Sequence, residues 1–219
     1  MRALLLQRIV VQKWIILFAM IICLLFNFVH IPFVDSPSIG LFVVVISANL
    51  VDNLYRGDRQ VKWNVYVNTL PLSKKTQLQS DFLFCYGLIS LLFIVLAPTY
   101  FSQPEASENF IEHLAMYFAY ISSASFLICS QFYIQHLEET EGMRTVRMLT
   151  AVVLIILLNF VIHYYLSLVA ANLIILFIPT LVSILISFIV FYKCLIYIWQ
   201  RRFTKQSSKN RLLYLAAYF

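Results

Sequence analysis

Charge is scarce in this chain: Asp, Glu, Lys and Arg make up 12% of its 219 residues, against roughly a quarter in a soluble domain. With 62% of positions hydrophobic, the sequence reads as a membrane protein. A spanning helix takes about 20 mostly apolar residues, and the long apolar runs consume most of the chain. They leave short connections and no separate soluble domain, so any activity has to come from the helices, their connections or a partner. Glycine is scarce as well. Gly40, Gly57, Gly87 and Gly142 are the only four, and they cannot supply a GxxxxGK(S/T) phosphate loop, so the chain is expected not to hydrolyse ATP by itself. The four cysteines, Cys23, Cys85, Cys129 and Cys194, are solitary and make no CxxC pair. They read as small apolar packing residues, and disulfide or zinc chemistry is not expected. GxSxG, HExxH and clustered histidines are absent too; no catalytic residue, metal or cofactor is expected.

What is present is a series of charge-free runs. Between Trp14 and Val51 the one acidic or basic side chain is Asp35, which reads as two helices joined by a tight turn at Asp35-Ser36-Pro37. Further uncharged runs cover 82–104 and 114–137. The last, 148–192, holds 45 residues, too long for one crossing and suited to two with a turn near His163 to Asn172. The expectation is an all-α membrane protein of six transmembrane helices, at about 14–34, 37–55, 82–103, 114–137, 148–167 and 171–194. They form a single domain over 1–200, with a connecting loop at 56–80 and a basic tail at 201–219.

Lys and Arg are retained on the cytoplasmic side of short loops. Arg2, Arg8 and Lys13 precede the first span; Arg56, Arg59, Lys62, Lys74 and Lys75 lie between the second and third. Arg144 and Arg147 lie between the fourth and fifth, and the remaining six, Lys193, Arg201, Arg202, Lys205, Lys209 and Arg211, lie at the C-terminal end. All sixteen cations thus fall on one face, while the opposite face carries only Asp35, Glu105, Glu108 and Glu112. Both termini are therefore expected in the cytoplasm. The formal charge of +6 is a topology signal and an attraction to anionic lipid headgroups, and no nucleic-acid partner is expected. The first apolar run is long for a signal peptide and no small-x-small cleavage pattern closes it. Residues 1–13 read instead as an interfacial arm lying along the membrane.

Polar residues inside spans are costly and should face the bundle interior. Asn27 with His30, and Asn159 with His163, stand at i,i+3 and i,i+4 and project from one side of their helices; Asn49 is a further polar span residue. These five can serve a proton relay or a substrate path, or simply hydrogen-bond one helix to another, and the second role is the expected one. No Asp, Glu, Lys or Arg falls near the middle of a span, which argues against an ion-coupled pump. CAAX-type membrane proteases carry EExxxR followed by FxxxH. Here Glu138-Glu139 is separated from Arg144 by four residues, and Phe132 and His136 come before the glutamates. One extra residue rotates the arginine by about 100° on a helix, so the protease reading is the weaker alternative.

The most informative segment follows the second span. Trp63, Tyr66, Val67 and Leu70 fall at i, i+3, i+4 and i+7 and line one helix face, with Val61 and Val65 opposite. The alternation Val61, Trp63, Val65, Val67 also fits a strand, but a lone strand would leave its backbone groups unpaired, so a short helix is expected. Pro71 stops it, and Ser73 is placed to cap the next helix, which runs through Lys74 and Lys75.

In this segment the chain resembles the ABC transporter permeases of the type-2 exporter class. The small members carry, after span two, an acidic-basic cluster, a tryptophan, then Leu-Pro-x-Ser followed by Arg or Lys. Here these are Asp58-Arg59, Lys62-Trp63, Leu70-Pro71-Leu72-Ser73 and Lys74-Lys75. Lys74 stands where arginine is commoner, and Asp81 where a basic residue usually enters span three. The motif covers about 25 residues; the six-span layout extends the resemblance to the whole chain.

The resemblance implies a permease in a cell membrane, that of a bacterial cytoplasm, paired with a second copy or a related permease. Separate ATPase subunits would bind ATP and Mg. It implies a coupling helix seated in the ATPase, with Arg59, Lys62, Trp63, Tyr66, Val67, Leu70, Pro71, Ser73 and Lys74 at the contact and Glu138 and Glu139 as a second one. Trp63 can alternatively be an interfacial anchor. Export of a lipid-like or amphipathic substrate, such as a peptide, is expected; a non-transport immunity or assembly module is the alternative.

Overall fold

A computed structural model describes residues 2–28, 36–60, 74–102, 109–135, 141–169 and 177–193. Among these residues the chain is entirely helical, without strands. The helices are α1 (Arg2–Val11), α2 (Lys13–Phe28), α3 (Ser36–Gln60), α4 (Lys74–Phe101), α5 (Phe110–Gln135), α6 (Glu141–Val169) and α7 (Phe177–Lys193). Four segments are long and apolar enough to cross a membrane: Ser38–Arg59, Lys75–Phe101, Phe110–Gln135 and Gly142–Leu166. The pair α1 and α2 reaches the same standard only together, and α7 is a shorter apolar helix.

Helix ends follow local chemistry. Pro37 sits in the first turn of α3 and Pro179 in the first turn of α7, where a missing N–H costs nothing because the first four N–H groups have no intrahelical partner. Pro98 lies near the end of α4; the chain makes one more turn, with the Ser102 N–H donating to the Pro98 carbonyl at 2.9 Å, and the helix then stops. Between α1 and α2 the axis bends by 67°. Hydrogen bonds still flank the bend, with Gln12 N–H donating to the Arg8 carbonyl and Ile16 N–H to the Gln12 carbonyl.

The bundle is built around α5, which packs against α3, α4 and α6. Two-thirds of its apolar window is buried, 67%, against 6% for α6. Helix α6 therefore offers most of its surface to lipid, and Leu154, Leu158, Val161 and Leu168 are exposed on it. Small residues let neighbours approach α5 closely, and Ser122, Ser123, Ala124 and Ser125 are all buried there. At Gly40 of α3 the fit is tight enough that an added Cβ would overlap the Tyr120 ring of α5. Tyrosine hydroxyls bind α4 and α5 together: Tyr117 donates to the Phe93 carbonyl at 2.6 Å and Tyr86 to the Ser125 carbonyl at 3.0 Å. An aromatic cluster brings in α7, whose Phe191 ring stacks on Phe82 of α4 at 3.6 Å and meets Phe132 of α5 edge-on at 5.7 Å. The Cys129 thiol donates to the Ser187 carbonyl of α7. Cys23, Cys85 and Cys129 are buried, in the packing role expected of them.

One flank of the loop between the second and third spans differs from the reading of its polarity. Helix α3 continues through Arg56 to Gln60, because apolar Leu54 and Tyr55 still have the core to pack against. At the other flank α4 begins at Lys74, where the next helix is expected to run through Lys74 and Lys75, and Leu78 packs on the core.

Candidate functional site

Where α3 ends and α4 begins, α1 lies against α4 and carries one arginine inward. Leu6, Ile9 and Val10 face outward and are exposed, whereas Arg8 is 1% exposed. Its fork reaches both neighbouring helices. Arg8 Nη1 and Nη2 donate to Oδ1 and Oδ2 of Asp58 on α3, the latter at 2.8 Å. Arg8 Nε and Nη2 donate to Oδ1 and Oδ2 of Asp81 on α4, at 2.6 and 3.1 Å. A planar guanidinium is the cation able to serve two carboxylates bidentately, and both aspartates are as buried as the arginine. Burial works against the charge on Arg8, but the hydrogen bonds and charges of Asp58 and Asp81 outweigh it and hold the group above its ordinary pKa. Taking such charges out of water is tolerable only with this pairing, since an unpaired buried ion costs several kcal/mol.

Further polar contacts extend the cluster. Asp52, six residues before Asp58, pairs with exposed Arg56 at 2.6 Å and accepts from Gln135 Nε2 at the end of α5, also at 2.6 Å. Gln12, at the bend between α1 and α2, is buried, and its Nε2 would lie 3.7 Å from a Cβ on Gly57. Lys75 at the start of α4 places its Nζ 6.0 Å from the ring centre of Tyr192 near the end of α7. The ends of α1, α3, α5 and α7 and the starts of α4 and α6 therefore meet at one end of the bundle. Every Lys and Arg whose side chain is described belongs to these helix ends or, in the case of Lys13, to the start of α2. At the other end are the Tyr100 hydroxyl, which donates to the His113 carbonyl at 3.1 Å, and the His163 to Thr180 contact between α6 and α7.

Of the residues the sequence singled out, Arg59 is exposed beside this cluster. Lys74 opens α4, but its side chain is not among those described, as is also true of Asn27 in α2. Lys62, Trp63, Tyr66, Val67, Leu70, Pro71, Ser73, Glu138, Glu139 and His30 lie outside the described residues. Asn49 bonds the Val45 carbonyl of its own helix at 2.9 Å and is exposed. Asn159 and His163 do share a face: His163 Nδ1 donates to the Asn159 carbonyl at 2.9 Å and Nε2 lies 3.3 Å from the Thr180 hydroxyl. That is a bond between helices, and among the two roles open to the pair it is the one the contacts support. Arg8 was read as part of an interfacial arm, Asp58 as part of a loop motif and Asp81 as a departure from the family pattern. The structure joins all three. An arginine set between apolar residues of α1, with aspartates on both sides of the connection between α3 and α4, was the available signal.

A family model described as ABC-2 family transporter protein matches residues 3–208. No curated protein and no solved structure matches the chain. The family match takes in nearly the whole chain, helices and ion cluster together, and the chain accordingly belongs to the ABC-2 family of transporter proteins, as the multi-pass membrane permease component of an ABC transporter.

Proposed function

We infer that this chain is the permease of an exporter driven by a separate ATPase, with the basic end of the bundle on the cytoplasmic side and six crossings, α1 and α2 supplying an interfacial arm and the first of them. The observation that carries this reading is the Arg8 cluster. Arg8 ties the N-terminal helix to Asp58 and Asp81, which stand before and after segment 61–73. A push on that segment would reach α1, α3 and α4 at once, and α5 through Asp52 and Gln135. This is the connection that coupling to an ATPase demands. The amphipathic pattern of Trp63, Tyr66, Val67 and Leu70 marks the segment as the docking element, and Glu138 and Glu139, which follow α5 in the sequence, are the second contact. A second permease, identical or related, completes the pathway, and the substrate is lipid-like or amphipathic, in keeping with the uncharged span interiors.

The test is co-purification with the ATPase after Trp63→Asp and Leu70→Asp. Both variants should insert in the membrane and lose the ATPase. Retention of the ATPase by both removes the coupling assignment. A module without transport would show no substrate-dependent stimulation of ATP hydrolysis in proteoliposomes.

A further inference from the structure

At the end opposite the ion cluster, α5 and α6 line a half-open cavity of about 380 Å³, within the roughly 300–1,000 Å³ of small-molecule sites. Its shape follows from residue size. On α5, Ala115, Met116 and Ala119 follow Glu112 at i+3, i+4 and i+7 and share its face, and the two alanines leave room. From α6 come Phe160, Tyr164 and Tyr165. Phe160 is held edge-on by Tyr120 at 4.9 Å, and the Tyr164 and Tyr165 rings stand 6.2 Å apart at 71°. His163 also lines the space, but its two ring nitrogens face Asn159 and Thr180.

The charge in this cavity has one sign. Glu112 is its carboxylate, and no Lys or Arg is among its described lining residues. A carboxylate beside aromatic faces is suited to an ammonium group, because the negative ring faces attract a cation where water is partly excluded. Beside the cavity, Leu157, Val161 and Leu168 are exposed on the α6 face that carries Tyr164, a track for an alkyl chain.

We propose that this cavity binds the ammonium head of a single-chain cationic amphiphile, with Glu112 as its counter-charge, Phe160, Tyr164 and Tyr165 as its aromatic walls, and the chain lying along α6. That such an amphiphile is cargo rests on the exporter reading; that it binds here does not. The full-length chain, purified in a maltoside detergent without the ATPase, would be titrated with radiolabelled dodecyltrimethylammonium in equilibrium dialysis, with dodecyl sulfate as the anionic control. Saturable binding is expected, weakened at least tenfold in Glu112→Gln and in Tyr164→Leu and retained in Glu112→Asp, with no saturable uptake of dodecyl sulfate. Since Glu112 is exposed, its replacement leaves the core intact. Equal affinity in Glu112→Gln, or equal binding of the sulfate, overturns the proposal. Normal ATPase coupling without site-dependent binding would remove the cavity assignment alone. Binding without ATPase association would remove only the exporter reading.

Discussion

Arg8 and Asp58 are fifty residues apart in sequence, yet two guanidinium nitrogens of one meet both carboxylate oxygens of the other. The same guanidinium also serves Asp81, so three helices share one buried cation. Replacing Arg8 with Leu strands two carboxylates in the interior and should destabilise the protein by about 3–5 kcal/mol. Adding Asp58→Asn and Asp81→Asn should recover most of that loss. Thermal unfolding in detergent measures both effects, and an unchanged melting temperature in Arg8→Leu would show that the cluster carries no structural weight.

At Gly40 α3 approaches α5 closely. Alanine there drives a methyl group into the Tyr120 ring, and overpacking of this kind costs about 1–3 kcal/mol. Gly40→Ala should melt lower, and Tyr120→Leu in the same chain should restore part of the loss. Gly87→Ala is the control, because nothing lies within 4 Å of the added atom.

The His163 to Thr180 contact is a polar bond between α6 and α7. In membranes such bonds couple by about 0.6 kcal/mol on average and at most about 1.7. A double-mutant cycle with His163→Phe and Thr180→Val should fall in that range. Zero coupling would mean that the two side chains merely sit side by side.

Orientation has its own test. With the native cysteines replaced by alanine, Asn109→Cys should react with a membrane-impermeant maleimide on intact cells. Arg147→Cys should react only after the cells are permeabilised. The reverse pattern would invert the proposed topology and place the ATPase-binding segment on the wrong side of the membrane.

Helix content was legible along the chain because it depends on local properties. Apolar runs such as 82–104 must satisfy their backbone groups internally in lipid, and only a helix does so within one segment. The pairing of Asn159 with His163 was legible for the same reason, since i,i+4 spacing places both on one face. The length of α3 was less so. Polar Arg56 to Gln60 read as loop, but Leu54 and Tyr55 pack on the core and Asp58 turns inward, so the helix continues.

The sequence alone determined that the chain is a bundle of membrane helices, that its cations gather at one end, and that an amphipathic segment interrupts the series after the second span. Each of these follows from composition or period, read one helix at a time. Only the tertiary structure decided what Arg8, Asp58 and Asp81 do. An arginine in a largely apolar arm and two aspartates beside a loop look like surface charges individually. Their meaning depends on three helices converging, because a buried ion is stable only when its counter-charges arrive from elsewhere in the fold. No sequence period encodes that meeting, and the cavity beside Glu112 depends in the same way on which helix packs against which.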